Sequence, residues 1–202
     1  MSPLVKSKYP LLNPDVSLVG GLSNATQSND PAFSNAQWFG YVTTDSAAGG
    51  VTAVANVVAV PITPGIVVTQ VSLVSGNAAG TITNCNVQLF SGTSTPTALG
   101  TQSVNVTSTP FTQATPFTFT LGSAVTISQA NAPYGYVYVS LGLTDSVAPS
   151  FASASTPVAL GGVAPGTNAP VLAAKYTGGS STQPATLVSP TLVAAAYLCW
   201  LT

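Results

Sequence analysis

Short stretches in which apolar and polar residues alternate are the feature of this sequence that most restricts its fold. Within the segment from Thr81 to Ser91, alternate positions hold Thr83, Cys85, Val87 and Leu89, and the positions between them hold Asn or Gln. A period of two places one face of a β-strand in a core, so we expect Cys85 to point inward. Nowhere does the chain sustain the i, i+3, i+4, i+7 spacing of an amphipathic helix. The pattern predicts an all-β fold.

Other segments share this period and are separated by turn residues. Ile66 to Ser75 places Val67, Val71 and Leu73 on one face, and the turn SGNAAG is expected to pair it with the Thr81 strand as a hairpin. Further strands are expected at 101–106, 117–121, 125–127, 134–143, 170–176 and 191–201. Strands at roughly ten-residue spacing with Gly, Pro, Ser and Thr turns are typical of antiparallel sandwiches. We predict an antiparallel β-sandwich or jelly roll over residues 36–202.

Residues 1–35 follow neither period and contain scattered prolines. Their apolar content is nevertheless higher than disordered segments usually have. The apolar residues include Tyr9, Leu11, Leu12, Val16 and Leu18. We therefore expect an extended N-terminal arm that packs against another chain and serves in assembly.

Charged residues are almost absent. The chain has three lysines and four aspartates, with no Arg, Glu or His, so that 3% of its residues are charged, against about 25% in ordinary soluble domains. A net charge of −1 provides no basic surface for nucleic acid or for anionic lipid. Such a surface does little to repel a neighbouring molecule, so we expect other subunits to cover much of it.

Membrane insertion and export are not expected. No stretch approaches the roughly 18 consecutive apolar residues of a spanning helix. The N-terminal sequence MSPLVKSKYPLLNPD places Pro10 and Pro14 where a signal peptide needs an unbroken apolar region. We expect the protein to be made in a cytoplasm and not to be exported by the usual route.

Residues for catalysis or metal binding are few. General acid–base chemistry usually needs His or paired carboxylates, yet Asp45 and Asp145 lie in contexts typical of turns. The serines have no GxSxG motif and no base. Cys85 and Cys199 belong to no CxxC pattern, so we interpret them as two small buried apolar residues, with a disulfide as the alternative. The sequence predicts a non-enzymatic protein without metal or cofactor.

Aromatic residues supply the only candidate binding features. Tyr134, Tyr136 and Tyr138 occupy alternate positions, so a regular strand would line them up on one face. Three interpretations stay open for this ladder: packing within the domain, contact with a neighbouring subunit, or stacking on a glycan. The segment TLVAAAYLCWL is apolar on both faces, as in a central strand or one buried between subunits, and we expect its Trp200 to act as an anchor.

Residues 60–143, about 40% of the 202-residue chain, resemble a β-sandwich module of structural proteins in tailed bacteriophage virions, particularly phages of actinobacteria. In that family an "ITxV" strand, a small-residue turn, an "xVxLF" strand, an "xLGT" hairpin, a Phe-rich strand and a "YYVxV" strand follow one another. The corresponding residues here are 68–71, 76–80, 87–90, 99–101, 117–121 and 136–139. Unlike a long fibre, this chain has no heptad stalk or collagen-like repeat.

The resemblance implies a virion protein, of the minor tail, tail-tip or head-decoration type, made in the host cytoplasm. Its expected partners are other virion proteins and copies of itself, and closed symmetry would favour a trimer or larger oligomer. The family supplies no catalytic residues. The alternative is a carbohydrate-binding or host-surface adhesion module whose partner is a cell-surface glycan.

Overall fold

The computed structural model describes residues 33–34, 44–47, 54–76, 81–106, 116–147, 149–155, 171–177, 181–193 and 195–202. All regular secondary structure in these ranges is β-strand, and every strand pairing is antiparallel. The strands are β1 (Phe33–Ser34), β2 (Thr44–Ala47), β3 (Val54–Pro61), β4 (Val67–Val74), β5 (Thr81–Phe90), β6 (Ala98–Leu99), β7 (Pro116–Thr126), β8 (Tyr136–Val147), β9 (Ser150–Ser155), β10 (Ala173–Thr177), β11 (Thr191–Leu192), β12 (Ala195–Tyr197) and β13 (Cys199–Leu201). The predicted all-β, antiparallel fold is confirmed.

Two sheets form a sandwich around one core. The four-stranded sheet has the order β1-β13-β4-β7, and the six-stranded sheet has the order β11-β10-β3-β8-β5-β6. Buried side chains from both sheets, such as Val71 of β4 and Val139 of β8, belong to the same apolar cluster. A three-stranded sheet, β12-β9-β2, adds Phe151 and Tyr197 to that cluster. The β-sandwich architecture is therefore confirmed.

The period of two fills this core as the sequence predicted. In β8, the residues from Val137 to Leu143 at odd positions are buried in the core, while Tyr136 and Tyr138 face the other side of the sheet. Cys85 is also buried in the core, on β5. Each fully buried Val, Leu or Ile stabilises the fold by about 1.5–3 kcal/mol relative to an exposed one.

The predicted hairpin between the Ile66 and Thr81 segments is wrong. β4 pairs with β7 and β13, whereas β5 pairs with β8 and β6. The two strands lie in opposite sheets, and their apolar faces meet across the core. Packed sheets are about 10 Å apart, a distance that the short link after β4 spans easily. The apolar faces of β4 and β5 are therefore buried by the packing of one sheet against the other, and not by pairing of the two strands edge to edge.

Register shifts explain why two predicted core positions lie at the surface. In β4, the main-chain N–H groups of Thr69 and Gln70 both donate to the carbonyl of Thr202, at 2.7 and 2.8 Å. Two residues that face a single partner residue form a β-bulge. The bulge reverses which of the preceding residues point into the core and which point outward. Val67 is consequently 51% exposed. A shift in β5 likewise leaves Thr83 exposed.

The segment from Thr101 to Val106 is not the regular strand that the sequence predicts. It follows the edge of β5 beyond β6, where Val106 forms a single bridge with Cys85. Between them the Ser103 hydroxyl accepts a hydrogen bond from the Val87 main-chain N–H at 3.0 Å. A side-chain oxygen thus replaces a carbonyl in the ladder, because serine can bond backbone groups that a strand would otherwise pair.

The C-terminal apolar stretch is also divided. The predicted strand over residues 191–201 becomes β11, β12 and β13, which belong to the six-, three- and four-stranded sheets in turn. The chain therefore passes round one side of the sandwich. Sequence reasoning missed β3 and β9, and it assigned turns to Asp45 and Asp145, which lie in β2 and β8. The predicted strands at 117–121 and 125–127 merge into one strand, β7, which ends at Thr126.

Candidate functional site

The sandwich has two outward sheet faces, and the candidate aromatic residues lie on both. The outer face of the six-stranded sheet carries Tyr136 and Tyr138, with Tyr134 just before β8. The outer face of the four-stranded sheet carries Trp200 on β13. The structure covers the first face with the chain's own residues and leaves much of the second exposed.

The tyrosine ladder is not an open platform. Tyr136 and Tyr138 are 1% and 0% exposed, and their rings meet edge to face at 5.4 Å. They form a second apolar cluster, here called the tyrosine cluster, with residues that include Phe90, Val171, Tyr176 and Leu187. Among the three interpretations of the ladder, packing within the domain is therefore the one that the structure shows. The expectation that Tyr136 and Tyr138 form a binding surface is corrected.

Tyr134 is the exception in the ladder. It lies outside β8, is 46% exposed, and stacks on Tyr136 with ring centroids 6.5 Å apart. Gly135 between them has a φ of 75°, a left-handed conformation that breaks the alternation of a regular strand. The three rings consequently do not share one continuous exposed face.

Two hydroxyl groups in the tyrosine cluster have no hydrogen-bond partner among the residues that the structure describes. They belong to Tyr138 and Tyr176, whose rings are almost fully buried. The Tyr138 hydroxyl lies beside that of Tyr136 and the main-chain N–H of Val171 without a hydrogen bond of ordinary geometry to either. Burial, and then the neighbouring Tyr136 hydroxyl, raises the pKa of Tyr176 to about 12. These groups remain neutral phenols at ordinary pH.

A polar layer continues the same face towards β5. Gln183 donates from Nε2 to Asn86 Oδ1 and accepts from the Ser140 hydroxyl, both at 2.8 Å. Asn86 donates to Asn105 Oδ1 at 2.6 Å. Gln88 donates to the carbonyl of Leu99 at 2.7 Å. Buried amides bonded in this way hold the segment around residue 183 against the sheet.

This polar layer was not predicted. The amides that alternate with the core residues of β5 are typical of a solvated strand face, and Gln183 lies in a stretch with no strand pattern. Only the run of amides at 84, 86 and 88 hints that β5 is covered on both faces.

The described residues offer little chemistry. They contain no cluster of three or more His, Cys, Asp or Glu side chains placed to hold a metal ion. Cys85 and Cys199 are both buried and form no disulfide, which confirms that they act as small core residues. Burial raises the pKa of both thiols. Within the described part of the chain, no helix is long and apolar enough to cross a membrane.

The outer face of the four-stranded sheet is here called the Trp200 face. It consists of the residues that alternate with core positions on three strands: Gln70, Ser72, Val74, Pro116, Thr118, Thr120 and Trp200. None of these side chains is charged. Trp200 is partly buried, while Pro116, Thr118 and Thr120 are exposed.

Two polar groups of the Trp200 face are already paired with each other. Ser72 lies between Trp200 and Thr118 in register, and its hydroxyl is 2.7 Å from the Thr118 hydroxyl. Paired hydroxyls lose little when water is removed, because their hydrogen bond remains. The face therefore combines a large aromatic residue with polar groups whose burial costs little free energy.

Residues 33–34, the described end of the predicted arm, form the edge strand of the sheet that carries this face. The predicted assembly residues Tyr9, Leu11, Leu12, Val16 and Leu18 lie outside the described residues. β1 follows them and pairs with β13, so that Ser34 is the register partner of Trp200. The sequence singled out the arm and Trp200 separately, and the structure places the end of the arm beside Trp200.

Comparison with known proteins adds no relative, since no family model, no curated protein and no solved structure matches this chain.

Proposed function

We propose that this chain is a non-enzymatic structural protein of a tailed phage virion, of the minor tail or capsid decoration type. It is made in the host cytoplasm and assembles with copies of itself and with other virion proteins. The resemblance over residues 60–143 supports the phage assignment. Fold alone does not determine function, so we infer assembly from the surface.

The Trp200 face is the observation that carries the proposal. Cores of protein interfaces are depleted of charge and enriched in aromatic residues, and Trp often supplies much of the binding energy. This face has a central Trp, no charge, and hydroxyls that are paired with each other. The opposite outer face is closed by the chain's own tyrosine cluster and polar layer. The exposed sheet face is therefore the better candidate for contact with another subunit.

Sedimentation velocity combined with light scattering on the full-length protein tests the proposal. We expect association that grows with concentration, up to a trimer or larger oligomer. Thr120→Lys puts a charge on the exposed part of the Trp200 face and should weaken association by about tenfold, or 1.4 kcal/mol. Ala130→Lys, in an exposed turn, is the matched control and should have no effect.

A glycan-binding module is the other outcome of this experiment. A protein that stays monomeric at high concentration, and whose tryptophan fluorescence responds to neutral oligosaccharides, would overturn the assembly proposal. Stacking on a sugar would then use Trp200 or the exposed Tyr134, since Tyr136 and Tyr138 are covered.

A further inference from the structure

We propose that residues 9–19 of the N-terminal arm of one copy dock on the Trp200 face of a second copy. This inference rests on the proposed function, which requires only that copies associate. The two surfaces that meet are the arm of one copy and the Trp200 face of another.

The direction of β1 indicates contact between different copies. Phe33 is the register partner of Leu201, and Ser34 is the partner of Trp200. Because the strands are antiparallel, the chain enters β1 from beyond Leu201 and moves towards Trp200. To lie on the Trp200 face of its own copy, the preceding segment would have to turn back against this direction, whereas docking on a second copy requires no such turn.

The composition of the arm matches the face. Residues 9–19 read YPLLNPDVSLV, with Asp15 as the single charged residue. Pro10 and Pro14 favour an extended backbone, and extended proline-containing segments commonly bind on aromatic surfaces. On the face, the partly buried Trp200 lies in register with Ser72, whose side chain is small. Val74, Pro116 and the threonine methyl groups supply further apolar contact.

The Trp200 face is large enough to bind an extended segment but too small for a stable contact with a whole domain. Strands lie about 4.8 Å apart, so four strands give a face about 14 Å wide. A stable contact between two globular surfaces buries about 800 Å² on each partner, more than such a face provides alone. An extended segment rises about 3.1 Å per residue. Eleven residues therefore cross the whole face, and the arm can continue beyond it.

Hydrogen bonding argues against a sugar at this place. A glycan site needs donors and acceptors that are free to bond the sugar hydroxyls, and a polar group left unpaired on binding is costly. On this face the hydroxyls of Ser72 and Thr118 are paired with each other at 2.7 Å. An apolar segment can cover them without breaking that bond.

Cross-linking between engineered cysteines tests the proposal on the full-length protein. One variant carries Leu11→Cys in the arm, a second carries Thr120→Cys on the face, and a third carries Ala130→Cys in the exposed control turn. The native Cys85 and Cys199 are buried and do not compete. Variants with distinct mass tags are mixed in pairs under mild oxidation. Only contact between different copies links cysteines on separate chains.

We expect the Leu11→Cys and Thr120→Cys pair to form mixed dimers at least about tenfold faster than the pair with Ala130→Cys, because bound segments have effective concentrations near millimolar. Equal rates for the two pairs would overturn the inference, and so would a double variant that closes within one chain while the mixed pair does not. In either case, continued association by sedimentation leaves the proposed function standing.

A second measurement covers the case in which a cysteine variant fails to fold. Leu11→Asp together with Leu12→Asp changes only the arm and none of the described residues. If the arm docks on the face, this variant and Thr120→Lys should each weaken association about tenfold, and together no more than either one alone. Additive losses would mean that arm and face act separately, which would overturn the inference.

Discussion

The hydroxyl of Tyr197 donates a 2.8 Å hydrogen bond to the main-chain carbonyl of Val139, in the middle of β8. Tyr197 belongs to β12 of the three-stranded sheet, and its side chain crosses the core to reach the six-stranded sheet. The carbonyl of Asn56 on β3 lies 3.2 Å from the same hydroxyl. The Tyr197 hydroxyl therefore links the three-stranded sheet to β3 and β8, the two central strands of the six-stranded sheet.

Replacing Tyr197 by Phe should lower the free energy of unfolding by about 1–2 kcal/mol, because the hydrogen bond is lost while the ring still fills its place. Urea unfolding measures the change. Tyr134→Phe is the matched control, since Tyr134 is 46% exposed and the change should stay within about 0.5 kcal/mol. Equal losses of stability in the two variants would show that the hydrogen bonds of the Tyr197 hydroxyl do not stabilise the fold.

Gln183→Ala should destabilise the protein by about 2–4 kcal/mol. The change removes the hydrogen bonds to Asn86 Oδ1 and from the Ser140 hydroxyl inside a buried layer. Gln129→Ala, in an exposed turn, is the control and should change stability by less than about 0.5 kcal/mol. If the two variants unfold at the same urea concentration, the polar layer does not hold the segment to the sheet.

Tyr176→Phe should leave stability at pH 7 unchanged or raise it by about 1 kcal/mol, which is unusual for a change in a buried residue. The Tyr176 hydroxyl is buried and forms no hydrogen bond within the described part of the chain, so its removal loses no partner there. Thermal and urea unfolding measure the effect. A loss of more than about 1 kcal/mol would mean that the hydroxyl has a partner in solution.

Stability should fall at alkaline pH, and Tyr176 should be one cause. Burial raises its pKa from 10.0 to about 12, so the folded state holds the proton more tightly than the unfolded chain. That contribution is complete below pH 10 and is lost as the pH rises from 10 to 12, at about 1.4 kcal/mol per pH unit. Unfolding curves of Tyr176→Phe should show a shallower decline over this range.

Gly92→Ala should destabilise the fold by more than about 3 kcal/mol. A Cβ at this position would overlap the main-chain oxygen of Tyr136, and backbone cannot move aside easily. Gly65→Ala is the comparison: its φ of 97° is strained for alanine, but no atom lies within 4 Å of the new Cβ. That change should cost about 1–2 kcal/mol. Similar losses for both variants would refute the steric argument.

The two native thiols should be unreactive in the folded protein. Cys85 and Cys199 are fully buried, and desolvation raises the pKa of each, so that neither forms the reactive thiolate at pH 8. A coloured thiol reagent should detect no free thiol before unfolding and two per chain in denaturant. Modification of the native protein at the rate of a free thiol would contradict the buried placement.

The local pattern predicted which strands exist better than it predicted how they pair. The alternation in β8 identified its two faces correctly, because one face always packs in the core. The partner of β4 depends on whether the following link turns back or crosses between sheets, and both fit the same residues. The bulge at Thr69 and Gln70 depends on Thr202, which is 132 residues away from Gln70. Local sequence carries no signal for such a contact.

The candidate site shows the same limit. The alternation of residues in β8 correctly placed Tyr136 and Tyr138 on the face opposite the valines. The sequence does not tell whether another part of the chain covers that face. The cover comes from residues near Val171 and Leu187, in a region with few strand signals. Trp200 was singled out for its size within an apolar stretch, and its neighbours Ser72 and Thr118 became visible only with the register.

The position of β13 determines the order in which the sandwich can be completed during synthesis. It lies between β1 and β4, although its residues, 199–201, are made long after those of both neighbours. A nascent chain that lacks them has no strand on which β1 can pair, and the edge of β4 stays open. Such an edge recruits strands from other molecules. Loss of the last few residues, by an early stop or by proteolysis, should therefore favour aggregation over a slightly smaller native domain.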